Sequence, residues 1–212
     1  MTTDTTLVAV RDLPKCRGTA LAHGLEQALA ELHQRVRSTT ALVGQHGYSM
    51  LPPSLRDLLP TSSEIIGTQA TDTGELIIAR SGPGSGESSA PWWTGVAWIR
   101  LGGVERLNKQ ATDRLTGRKV QGRPTITLPL VRASVGDVAA AIAEARYLLA
   151  DTPDAGIPRI QSRFDEIVDV AVRTSLKLFG ASGYVVGPPS NLAYAITRLG
   201  EVYAGIDQKR IR

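Results

Sequence analysis

The stretch WTGVAWIRLGGVERLNKQATDRLTG, Trp93–Gly117, decides the fold of this chain. Ala97, Leu101, Val104, Leu107, Ala111 and Leu115 recur at three- and four-residue spacing within it, the signature of a helix with one apolar stripe. The pattern predicts a long helix from Trp93 to Thr116, ended by Gly117, which can take the left-handed backbone of a helix stop. Downstream, Val131, Val135, Val138, Ile142, Ala145 and Leu149 predict a second helix from Leu128 to Ala150. Ser134 with Asp137 offers a later start as a capping box, and Asp151-Thr152-Pro153 is the stop. Ile160, Phe164, Ile167, Val168, Ala171, Leu176 and Phe179 mark a third helix that ends at Gly180. A fourth follows Pro188-Pro189-Ser190, with Leu192, Ile196, Leu199, Tyr203 and Ile206 on one face. Four amphipathic helices with short connections imply a mainly α chain whose residues 92–212 form an antiparallel four-helix bundle.

Upstream of Trp93 the pattern weakens. Gly82-Pro83-Gly84-Ser85-Gly86-Glu87-Ser88-Ser89 is a solvated, flexible composition, so residues 82–91 are taken as a linker. Residues 1–81 are then a reduced N-terminal segment, expected to be mostly helical. Leu21, Leu25, Ala28, Leu29, Leu32 and Val36 predict one amphipathic helix from Thr19 to Thr39. Leu51-Pro52-Pro53 breaks the chain, and Leu55, Leu58 and Leu59 fit a short helix before Pro60. Glu75-Leu76-Ile77-Ile78-Ala79 reads as a strand without an evident partner, or as a helix end.

Composition narrows the function. The net charge of +4 arises from 24 basic and 20 acidic residues spread along the chain, with one short cluster at Lys209, Arg210 and Arg212. No basic stripe with interleaved aromatics is present, which argues against nucleic-acid binding and leaves room for an anionic small ligand. Cys16 is the only cysteine, so no intramolecular disulfide can form. The polar Met1–Thr6 does not read as a secretory signal, and no apolar run approaches the roughly 20 residues of a membrane span. A cytoplasmic protein without a membrane partner is expected.

His23, His33 and His46 lack metal-ligand spacing, so no metal is expected. No Gly-x-Ser-x-Gly elbow marks a serine hydrolase, and Gly82-Pro83-Gly84-Ser85-Gly86 lacks the Lys-Ser/Thr ending of a phosphate loop. Two other glycine-bearing segments carry more. Arg118-Lys119-Val120-Gln121-Gly122-Arg123-Pro124 lies between the first two bundle helices, and Leu178-Phe179-Gly180-Ala181-Ser182-Gly183-Tyr184 follows the third. Glycine lets backbone amides approach a ligand closely, while Lys119, Gln121 and Arg123 offer donors suited to a phosphate. Such turns also serve simply as helix ends.

In order and spacing these two segments resemble the C-terminal bundle of acyl-CoA dehydrogenases. That family has an Arg-x-Gln-Phe-Gly-Arg/Lys-Pro-like turn after its first bundle helix and a Gln-x-x-Gly-Gly-x-Gly-Tyr-like turn after its third. The resemblance covers Trp92 to Arg212. It implies that Lys119, Gln121, Arg123, Lys177, Gly180 and Gly183 contact FAD, with the two turns drawn from different subunits. The departures are Lys119 for Arg, a deleted Phe, and Lys177 for Gln; the first keeps charge but loses the bidentate fork. The family's Tyr-Glu-Gly segment, which carries the catalytic base in many members, reads Tyr203-Ala204-Gly205. Alanine accepts no proton, so no base stands here and the catalytic residue is not identified. In other members the base lies near the start of the first bundle helix, where Trp92 and Trp93 fall; Glu105 and Asp113 lie further along it. About 90 residues precede the bundle, too few for the helical and β-barrel-like domains of the family.

The resemblance implies an oxidoreductase-type subunit that contributes to a flavin and acyl-thioester site without the usual Glu base. Its partners would be an acyl-CoA or other acyl thioester and a second subunit, either another copy or a full-length relative. A flavin-free helical protein reusing the acyl-binding groove for binding or a non-redox reaction is the alternative.

Overall fold

The structure, a computed structural model, describes residues 12–37, 42–44, 46–82, 90–151 and 157–204. Among the described residues, five α-helices and a small sheet are arranged around a sixth helix. They are α1 (Pro14–His23), α2 (Leu25–Val36), β1 (Tyr48–Leu51), β2 (Glu64–Ala70), β3 (Glu75–Arg80), α3 (Ala90–Gly117), α4 (Pro129–Asp151), α5 (Ile157–Leu178) and α6 (Pro188–Ala204), with a two-stranded hairpin between α3 and α4. The chain is mainly helical, and the four long helices of its second half follow in the expected order. Ala90 and Pro91, assigned to the linker by composition, already belong to α3. The rest of the linker from Pro83 to Ser89, Ile206 and the basic cluster at Lys209, Arg210 and Arg212 lie outside the described residues.

α3 is the axis of the molecule. It packs against α1, α2, α4, α5 and α6, and every residue from Trp92 to Val104 is buried. A helix apolar all round is a central helix, which is why this half of α3 shows no polar face. Contact with α1 is so close that a Cβ at Gly102 would stand 2.3 Å from the Arg17 carbonyl oxygen. One hydrophobic core joins the two halves of the sequence, from Leu13 and Leu29 through Ile99 to Leu199 and Tyr203. No helix among the described residues is long and apolar enough to cross a membrane.

The N-terminal segment departs from expectation twice. The single helix over Thr19 to Thr39 is two helices, beginning earlier at Pro14 and breaking at Gly24, whose φ of 99° an L side chain rarely adopts. A Cβ at Gly24 would stand 2.2 Å from Thr73 Oγ1, so the break makes room for the β2–β3 turn. α2 ends at Arg37, left-handed at φ 49°, whose N–H donates to the His33 carbonyl at 2.8 Å. Ser38 and Thr39 lie outside the described residues.

Second, the strand expected without a partner is the middle of an antiparallel sheet of order β1-β3-β2. β1 pairs Met50 with Ile78, and β2 pairs Thr68 with Ile77 and carries a bulge between Ile65 and Gly67. A 3-10 helix at Pro53–Leu58 fills the position of the short helix expected before Pro60.

Polar side chains lock the sheet to the helices. The side chain of Asp72, in the β2–β3 turn, is buried and accepts from Arg106 Nε at 2.5 Å and Gln110 Nε2 at 2.6 Å, both on α3. Arg106 also donates to the Leu21 and Ala22 carbonyls at 3.0 and 3.2 Å, capping the open end of α1. At the other side, the fully buried Tyr203 on α6 reaches β1. Its hydroxyl accepts the Met50 N–H at 3.1 Å and lies 3.1 Å from the Leu42 and Met50 carbonyls, either of which takes its proton. Burial pushes this phenol well above the usual tyrosine range, so it stays a donor. Tyr203→Phe is expected to destabilise the protein by about 1–3 kcal/mol, because it strands a buried backbone N–H. Urea denaturation checks this; an unchanged midpoint would mean that water replaces the hydroxyl.

Candidate functional site

The first candidate turn is a β-hairpin. Lys119–Val120 (β4) pairs with Arg123–Pro124 (β5), and the connecting Gln121 and Gly122 have φ of 50° and 79°. Two left-handed central residues make a type I′ turn, the tight form whose twist matches the strands. The hairpin is anchored at its base, where the Arg118 carbonyl accepts both the Thr125 N–H at 2.7 Å and Thr125 Oγ1 at 2.9 Å. Thr125 itself is buried.

Lys119, Gln121 and Arg123 are all exposed on this hairpin, and Arg114 and Arg118 are exposed at its root. None of these four cations forms an ion pair with a described residue, whereas neighbouring Lys109 is held by Asp113 at 2.6 Å. Sequence reasoning identified Lys119 and Arg123 but not that Arg114 and Arg118 extend the same surface. The signal was present as Arg-Leu-Thr-Gly-Arg-Lys at the helix stop, since a turn of helix followed by a hairpin gathers such residues.

The second turn, a 3-10 helix at Gly180–Gly183, closes α5. Gly180 has φ 64° and is exposed, with open space where a Cβ would be. Gly183 is different: it is buried, and a Cβ there would stand 2.3 Å from the Leu176 carbonyl. Its lack of a side chain is used against its own helix end. Lys177 is exposed on the last turn of α5. Beyond it Tyr184, Val185 and Val186 are exposed, an unusual run of apolar surface.

No hydrogen bond or ion pair joins residues 118–125 to residues 177–184 among the described residues. The hairpin packs on α3, and the 180–183 turn on α5. Within one chain, therefore, Lys119, Gln121 and Arg123 form one group and Lys177 and Gly180 another, with Gly183 facing inward.

The positions at which a base was sought divide by environment. Trp92 and Trp93 are buried, Trp92 edge-on to Tyr203 with ring centroids 5.8 Å apart. Glu105 pairs with Arg17 at 2.6 Å across the α1–α3 contact, and its other oxygen is buried. Asp113 is exposed and tied to Lys109. Tyr203 serves the sheet, and Ala204 is the last residue of α6. Cys16 is fully buried and its thiol is pushed up to about 11 by burial, so it is no nucleophile.

A buried ion pair escaped sequence reasoning. Arg100 and Asp165 are both almost fully covered; the Arg100 guanidinium donates to the Asp165 carboxylate, its Nε donates to the Ile196 carbonyl at 3.0 Å, and it lies 5.6 Å from the Phe164 ring centre. One side chain thus ties α3 to α5 and α6. A charge inside the apolar run Val96–Val104 was the available sign.

No protein-family model and no curated protein matches the sequence. Solved structures match its fold. Butyryl-CoA dehydrogenase from Megasphaera elsdenii superposes with a TM-score of 0.51 at 15% identity, covering 68% of this chain and 45% of that one. A glutaryl-CoA dehydrogenase from Mycobacterium smegmatis in complex with FADH2 gives 0.52 at 13% identity, covering 65% and 43%. A glutaryl-CoA dehydrogenase–glutaryl-CoA complex gives 0.51 at 16% identity, covering 69% and 45%. The chain thus spans less than half the length of these relatives. Its own matched share exceeds what residues 92–212 make up, so the likeness reaches back beyond residue 92. At these identities the likeness is one of fold, and over about two thirds of its length this chain has an acyl-CoA-dehydrogenase-like fold.

Proposed function

We propose that this chain is an acyl-CoA-dehydrogenase-like subunit, acting in the cytoplasm, that contributes to a flavin and acyl-thioester site completed by a second subunit. The second subunit is another copy or a full-length relative. The observation that carries this reading is the hairpin 119–124: a rigid I′ turn that holds Lys119 and Arg123 without an ion-pair partner among the described residues, with the Gln121 amide between them. A pyrophosphate, whether of FAD or of CoA, is matched by that set of donors. Gly180, exposed and without a side chain, suits the same ligand approached from another subunit.

The fit to FAD is therefore at its phosphate end. Bound flavin would supply the hydride acceptor of the reaction. This chain's residues would bind and orient; the proton-accepting carboxylate, lacking at Ala204, would come from the partner.

The double variant Lys119→Ala/Arg123→Ala tests the reading. Its affinity for FAD or CoA, titrated calorimetrically alone and with a full-length relative, is expected to fall at least tenfold, since each charged contact contributes about 1.5–3 kcal/mol. Unchanged binding in a folded variant would leave these residues as solubilising ends of α3. Purified alone, the chain is expected to turn over acyl-CoA far below the roughly 1–10 per second ordinary for enzymes. A flavin-free binding protein is the second reading, and the covered first half of α3 favours it. The absence of visible flavin absorption after incubation with FAD and a relative would decide for it.

A further inference from the structure

The two edges of the three-stranded sheet are unlike. Along β1 the outward backbone groups find partners inside the chain: the Gly44 N–H donates to the Tyr48 carbonyl at 2.7 Å, and Met50 meets the Tyr203 hydroxyl through both its N–H and its carbonyl, each at 3.1 Å. Along β2, among the described residues, only the Ala70 carbonyl gains such a partner, the Gln69 side-chain amide at 2.8 Å. None of the seven residues of β2 is buried. Ile65 and Ile66 are 37% and 48% exposed. Edge strands of soluble proteins are ordinarily kept short, carry charges or Pro, or are twisted away by a bulge. β2 is seven residues long and lacks Lys and Pro; its one charge, Glu64, and its bulge at Ile66 both lie in its first half, and Gly67–Ala70 is a regular edge.

We propose that β2 is a docking edge for a second copy of this chain, pairing antiparallel with its counterpart about a two-fold axis at Gly67 and joining the two sheets into one. The strand EIIGTQA is self-complementary in that arrangement. Ile66 stands opposite Thr68 of the other copy, Ile65 opposite Gln69 and Glu64 opposite Ala70, so the β-branched Ile66 and Thr68 meet and no like charges face each other. A parallel in-register pairing would instead set Glu64 beside Glu64. Glu64 is the only charge in the strand and is already held by Arg80 at 3.0 Å. At the axis, a Cβ on Gly67 would meet nothing within 4 Å, so the backbone there is open to approach. An interface of this size associates weakly and with concentration. The inference uses neither the hairpin 119–124 nor flavin, and it stands or falls separately from the function proposed above.

Disulfide trapping tests it. Cys16, the only native cysteine, is fully buried, so an introduced thiol is the reactive one. Two cysteines facing each other across an antiparallel pair lie about 4.5–5.5 Å apart at Cα, within disulfide reach. Under mild oxidation the Gly67→Cys chain is expected to cross-link at least tenfold faster than Asp113→Cys, which is exposed on α3. Adding Ile66→Lys should return the Gly67→Cys chain to the Asp113→Cys rate while leaving its melting temperature unchanged. Cross-linking no faster than Asp113→Cys, or indifferent to Ile66→Lys, would overturn the proposal. Should Gly67→Cys fail to fold, a mixture of Ile66→Cys and Thr68→Cys chains gives the same readout. Heterodimers should then form much faster than either homodimer, and equal rates would overturn it.

Discussion

Arg100→Ala is expected to destabilise the protein by about 3–5 kcal/mol, the cost of leaving a buried charge without its partner. Asp165 would keep one carboxylate oxygen with nothing to accept from, beside a second that already lacks a hydrogen-bond donor. The Ile196 carbonyl and the face of Phe164 would lose their contacts with the guanidinium as well. For a chain of this length that corresponds to a fall in melting temperature of roughly 6–20 °C. A double variant, Arg100→Met/Asp165→Leu, should recover most of the loss, because an apolar pair of similar volume carries no desolvation cost. Differential scanning calorimetry of the three proteins checks the sign and the order. If the double variant is as unstable as Arg100→Ala, the loss comes from packing and not from the stranded charge.

Trp92→Ala is expected to have an effect of similar size, about 3–5 kcal/mol, through the cavity left by a fully buried indole. Trp92 also supports Tyr203, the residue that fastens β1 to α6. The variant should therefore melt the sheet and the helices together, in one transition shifted to lower temperature. Two separated transitions would show that residues 46–82 and the four long helices are independent units, contrary to the single core that joins them.

How far the sequence announced this molecule follows from what each element buries. α3, α4, α5 and α6 each carry an apolar stripe of helical period; α3, α4 and α5 end within a few residues of the stops at Gly117, Asp151 and Gly180, and α6 starts at the Pro188-Pro189 pair. The break at Gly24 was illegible because Leu21, Leu25, Ala28, Leu29, Leu32 and Val36 continue one helical spacing across it. Only the approach of Thr73 from the sheet explains the glycine. β2 was invisible for the opposite reason: a strand with no buried face has no alternation to read. β1 is four residues long and buried along most of its length, so it shows no period either.

The candidate site was legible as residue types and less so as geometry. Gln121-Gly122 read as a glycine-bearing turn, and the left-handed pair that makes it a hairpin appears only in the backbone. Gly180 and Gly183 looked equivalent in the sequence. One proves open and the other is consumed by the end of α5, a difference set by the Leu176 carbonyl and by nothing local.

The hydroxyl of Tyr203 gives the chain an order of assembly. Met50 and Tyr203 are 153 residues apart, so β1 cannot be closed until nearly the whole of the described sequence has been synthesised. A nascent chain that has made the sheet but not α6 carries two open edges where the finished protein has one. Its vulnerable period, when strands could pair with a neighbour on the same polysome, lasts as long as the ribosome takes to translate the four long helices.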